Sequence, residues 1–202
     1  MEKTAVITVT GEGRGIAEAL FMTERAGGEA GLDKKSILHL RLLSEEMFGM
    51  LRGIAGGVEA SYWLETEGKN FELKMKADVK MTIEMREQFL AASSSGKNAA
   101  AKGFMGRLRV MIGSFLLSAK EALPYAMINS VAAMPMGGYA GESSSVWSMA
   151  IYRSEVEKRR GESDEASDAW DELEKSIVAN IADDVKVGVR GNCVELTVCK
   201  AF

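Results

Sequence analysis

The sequence is poor in cysteine and histidine, the usual residues of disulfide, zinc and thiol centres. It holds two cysteines and one histidine among 202 residues. Cys193 and Cys199 lie six apart in one extended stretch. On a strand they would share a face about 20 Å apart, too far for a disulfide with each other. They read as reduced, small buried residues of a cytosolic chain. His39 has no nucleophile or metal-ligand partner at a useful spacing, so a structural role is expected. There is no basic block, and the net charge is −4. The electrostatic footprint of a nucleic-acid binder is therefore missing. The longest apolar run, residues 110–119, falls far short of the roughly 20 residues that a membrane span needs. The opening residues MEKTAVITV have no positive region leading into a long apolar stretch, unlike a signal peptide. These absences point to a cytoplasmic protein that binds neither nucleic acid nor membrane.

What is present is ample core material, with 47% hydrophobic residues. Residues 4–10 (TAVITVT) are β-branched and read as a strand. Residues 16–26 have helical spacing through Ile16, Ala19, Leu20 and Thr23. In residues 36–54, Leu40, Leu43, Met47, Met50, Leu51 and Ile54 form an apolar helical stripe, with Asp33 or Ser36 as cap. Two adjacent carboxylates, Glu45 and Glu46, interrupt it. Residues 59–67 and 71–81 alternate around the turn Gly68-Lys69-Asn70, which predicts an antiparallel hairpin with one buried face. A less regular middle follows. Residues 84–92 read as helix, 93–98 as a polar loop, and 103–123 as an amphipathic helix closed by Pro124. Residues 125–147 show no period. Residues 148–158 read as helix and 159–167 as a charged turn. Residues 168–183 form a helical stripe through Trp170, Leu173, Ile177 and Ile181. Two strands, 185–189 and 194–200, close the chain around Arg190-Gly191-Asn192. Strands at both ends with helices between them predict one α+β domain over residues 1–202. It is expected to be a two-layer sandwich, a mostly antiparallel mixed sheet with helices on one face.

Two segments in this order, LRLLSEEMFGMLRGI with the hairpin after it and LEKSIVANIADDVKVGVRGNCVELTVCKAF, carry a resemblance. They resemble the GHKL superfamily, the ATP-binding fold of histidine kinases, anti-sigma-factor kinases and gyrase. The small bacterial anti-sigma-factor type is the nearest in pattern. With the first strand and helix, the likeness covers about half to two thirds of the chain. Residues 82–165 then form a helical insertion in the lid region.

The resemblance implies a nucleotide site built from three boxes. The first is a Glu followed four residues later by an Asn on the buried helix, placing both on one helical face. The Glu activates water or steers the phosphoryl acceptor, and the Asn holds magnesium. Glu45 and Glu46 are the candidate catalytic carboxylates, but the residues four on are Gly49 and Met50. Their side chains offer no oxygen to Mg²⁺, so no metal site is expected. The second box is Asp-x-Gly-x-Gly. Asp78 is its candidate adenine-binding residue, with Lys80 and Thr82 in place of the glycines. The third is a glycine-rich lid whose backbone N–H groups cradle phosphate. Gly96, Lys97, Asn98, Lys102, Gly103 and Gly106 are the candidates, and they do not form a P-loop.

The resemblance thus implies a regulatory, anti-sigma-factor-like protein with degenerate boxes, a pseudo-enzyme acting through a protein partner. ATP or ADP is the ligand it would take, and a homodimer is one assembly it could form. Two other expectations stand beside it. One is an active ATPase or serine protein kinase with Glu45 or Glu46 as general base. The other is an interaction or structural protein whose pocket is filled by side chains. Gly11-Glu12-Gly13-Arg14-Gly15 lacks the spacing of a dinucleotide fingerprint, and the hairpins argue against that fold. The 13 methionines are core filler, with 134–138 (MPMGG) as a candidate adaptable partner surface. Trp63, Trp147 and Trp170 are expected to anchor the core or subunit contacts.

Overall fold

Alternating burial along every long strand puts one side of the sheet in the core and leaves the other open. The computed structural model describes residues 1–52, 58–79 and 145–202, with positions 104, 106, 108, 112, 113 and 116. Its strands are β1 (Glu2–Lys3), β2 (Ile7–Thr10), β3 (Glu59–Glu67), β4 (Asn70–Asp78), β5 (Ser145–Ser148), β6 (Asp184–Arg190) and β7 (Cys193–Ala201). Its helices are α1 (Ile16–Glu29), α2 (Lys34–Arg52), α3 (Met149–Arg159), α4 (Asp164–Lys175) and α5 (Ile177–Ile181). The strands form one sheet in the order β1-β3-β4-β7-β6-β5, and β2 also pairs with β3. Every pairing is antiparallel. The fold is α+β, an antiparallel sheet with its apolar face under helices.

The core face carries Tyr62, Leu64, Leu73, Met75, Val187, Leu196 and Val198, all buried. Against it lie Leu40, Leu43, Met47, Phe48, Met50 and Leu51 of α2. The stripe expected on α2 is thus the buried one as far as Leu51, and Ile54 lies outside the described residues. Phe104, Leu108, Ile112 and Leu116 are helical, four residues apart, and buried in the same cluster. That matches the helical spacing of 103–123 at those positions. The expected helix 84–92, loop 93–98 and aperiodic stretch 125–144 lie outside the described residues. Among the described residues, no helix is long and apolar enough to cross a membrane.

Local chemistry sets the boundaries. Asp33 Oδ1 accepts from the Ser36 backbone N–H at 2.7 Å, so Asp33 is the capping residue at the start of α2. That hydrogen bond holds its carboxyl below the usual value. Of the strand expected over 4–10 only Ile7–Thr10 forms; residues 4–6 are irregular, with Thr4 N–H still donating to the Leu64 carbonyl, and a separate short strand, Glu2–Lys3, precedes them. The expected helix 168–183 begins earlier and breaks. Ser163 caps α4, accepting from Ala166, and Ser176 is extended and caps α5, accepting from Ala179 at 3.2 Å. A serine hydroxyl that satisfies an orphan N–H favours such a restart over a continuous helix. Trp147, assigned to no element by its sequence, sits in edge strand β5 and packs on Phe104 and Tyr152.

Two glycines have conformational reasons. A Cβ at Gly27 would lie 3.1 Å from Ile37 and 3.2 Å from Leu40, so α1 and α2 approach closely there. Gly15 precedes α1 at φ 74°, and a Cβ on it would stand 2.0 Å from the Thr8 carbonyl oxygen. Gly13 also has positive φ, but its Cβ direction is open. Gly15→Ala is therefore expected to cost at least about 3 kcal/mol in urea unfolding, and Gly13→Ala only about 1 kcal/mol. Equal losses would show that the loop relaxes away from Thr8.

Candidate functional site

Three consecutive residues of α2 point in three directions, because helical positions turn by about 100° per residue. Ser44 faces inward and is fully buried. Its Oγ donates to the Leu40 carbonyl at 2.9 Å and lies 2.8 Å from Tyr62 Oη of β3. Thr23 of α1 completes the cluster. It donates to the Ala19 carbonyl at 2.9 Å, and its Oγ1 is 2.9 Å from Tyr62 Oη and 3.4 Å from Ser44 Oγ. Three hydroxyl protons thus serve five oxygen contacts among buried groups, a cooperative network that links α1, α2 and the sheet.

Glu45 turns outward on the α1 side. Its Oε1 accepts from Arg41 Nε at 2.9 Å, and Arg41 also bonds Glu24 of α1. These carboxylates hold the Arg41 guanidinium charged. Glu46 lies on the other flank, which it shares by helical spacing with Leu43 and Met50. It is half-buried and forms no hydrogen bond or ion pair with the described residues. Gly49 is half-buried and Met50 buried.

Asp78 closes β4 and is exposed, directly across from Cys193 of β7. By strand alternation it belongs with Lys76, Lys74 and Glu72 on the open face, while Ala77 and Val79 face the helices. No hydrogen bond or ion pair joins Asp78 to Glu45 or Glu46, and α2 packs on the opposite side of the sheet. Gly106 is helical and buried. Gly96, Lys97, Asn98, Lys102 and Gly103 lie outside the described residues, so their expected phosphate contacts do as well. The chain enters β3, leaves β4 and enters β5 at one end of the sheet, the end that carries Asp78, Cys193 and Arg190. No group of three His, Cys, Asp or Glu side chains placed to hold a metal occurs among the described residues.

The open face is charged and internally paired. Lys74 Nζ lies 2.6 Å from Glu65 and 3.0 Å from Glu72. Trp63 Nε1 donates to Glu65 at 2.9 Å, and Lys3 stands 4.7 Å above the Trp63 ring. Trp63 is therefore part of this open-face network rather than a core anchor. The Lys74 hydrogen bond holds the Glu65 carboxyl below its usual value. Burial pulls the Lys74 ammonium down, but Glu65 and Glu72 outweigh it and its pKa rises. Cys193 and Cys199 are both free thiols on this same face, half-buried rather than core residues. The register makes this so: Val194, Leu196 and Val198 take the inward positions of β7 and leave odd numbers outward. Burial raises the Cys199 thiol pKa.

The hydroxyl cluster was not among the sequence candidates. Its signal was present: Thr23 and Ser44 fall on apolar helical faces, and Tyr62 on the apolar side of an alternating strand. A polar residue at a core position of each of three elements demands partners.

No family model, curated protein or solved structure matches this chain.

Burial pushes the Tyr62 phenol up to about 12, against the opposing hydrogen bonds from Ser44 and Thr23. The fold favours the neutral phenol, so its contribution is full below the ordinary value of 10.0 and is lost as pH rises toward about 12. Denaturant stability should fall across that window. Tyr62→Phe should remove this part of the fall and lower neutral-pH stability by about 1 kcal/mol. An unchanged alkaline profile in the variant would show that Tyr62 does not cause the fall. On the open face, Glu65 adds stability above its unfolded pKa that is lost as pH falls through its lower folded value. In Lys74→Met, NMR titration of the Glu65 carboxyl should move upward, toward an unpaired glutamate.

Proposed function

We propose that this protein is a regulatory module of GHKL ancestry, anti-sigma-factor-like, that acts through a protein partner without efficient ATP turnover. The support for ancestry is the element order. A strand, two helices and a hairpin are followed by α4, α5 and a closing hairpin, all sharing one sheet. The observation that carries the loss of chemistry is on α2. Glu45 is engaged with Arg41, and the positions four residues beyond the two carboxylates are Gly49 and a buried Met50. Phosphoryl transfer relies on positioning and on a metal that neutralises phosphate charge. Mg²⁺ takes oxygen ligands in near-octahedral geometry, and neither side chain supplies one. The residues present do not fit the metal, so no step is assigned to it. ATP or ADP would bind weakly, with the adenine contact assigned to Asp78 on the strength of the resemblance alone.

A second reading rests on Glu46. A half-buried carboxylate with no hydrogen-bond partner among the described residues is placed to serve as a general base, and an ATPase or serine kinase would use it so.

One assay separates the two. The full chain, in millimolar ATP and magnesium, should release no phosphate above a blank and should gain less than about 1 °C in melting temperature. Phosphate release that Glu46→Ala or Glu45→Ala abolishes would sink the regulatory reading in favour of the enzyme. A melting shift without turnover, lost in Asp78→Ala, would leave a nucleotide-binding regulator. The partner claim predicts that the tagged chain retains a second protein at defined stoichiometry, or forms a dimer in native mass measurement. A monomer that retains nothing would refute it.

A further inference from the structure

We draw no further inference here: the strongest candidate, the indole N–H of Trp147, buried at the β5 edge of the sheet beside the rings of Phe104 and Tyr152 with no hydrogen-bond acceptor among the described residues, carries nothing because nothing in the structure shows what group or cavity it faces.

Discussion

Tyr62 reaches from the third strand into the seam between the first two helices, and the arrangement of the N-terminal half depends on what it meets there. Burying a hydroxyl without a partner costs more than a good hydrogen bond returns, so Tyr62 needs Ser44 and Thr23 at bonding distance. That requirement is directional, unlike the apolar packing around it. Phe48 stands edge-on to the same ring at 4.9 Å, and Leu40 and Met47 are fully buried in the same core. Apolar contacts alone would tolerate small slides of α2 along the sheet. A hydroxyl network tolerates far less, because a shift of an ångström breaks several contacts at once. Gly27 works to the same end by letting α1 come close beside Ile37 and Leu40.

Fixing the rotation of α2 fixes where its carboxylates go. With Ser44 held inward, Glu45 must emerge beside α1, where Arg41 of the same helix bridges it to Glu24, and Glu46 must emerge on the flank shared with Met50. The same rotation puts Met50 in the core. The helix that carries Glu45 and Glu46 is therefore held in place by a hydroxyl cluster that begins at the residue before them. Asp78 is subject to a similar constraint from the sheet. Strand period two assigns it to the side opposite Ala77 and Val79, and the β4–β7 register sets Cys193 across from it.

Much of the fold was legible because its signals are local. The α2 stripe and the 59–67 and 71–78 alternation each encode their own buried face. The closing hairpin around Gly191, at φ 58°, encodes its own turn. What was not legible depended on partners distant in sequence. Ser145–Ser148 is too short to show a period, and becomes a strand only because β6 offers it an edge. Ser176 looks like an ordinary position within an apolar stripe, yet its hydroxyl serves better as the cap of a new helix. The two cysteines were expected in the core from their residue type. Register, which residue type does not encode, turned both to the open face. Of the candidate site, Glu45, Glu46 and Asp78 could be placed by element from sequence, but not by direction.

The sequence by itself determined the α+β class and the one-sided burial of its strands. These are matters of composition, period and spacing, which every residue carries with it. Only the tertiary structure decided that Ser44, Thr23 and Tyr62 form one network. It alone decided that Glu45 is committed to Arg41 while Glu46 is not, and that Asp78 alternates away from the helices. Those outcomes follow from helix rotation and strand register, which are fixed when separate elements meet and satisfy one another's polar groups.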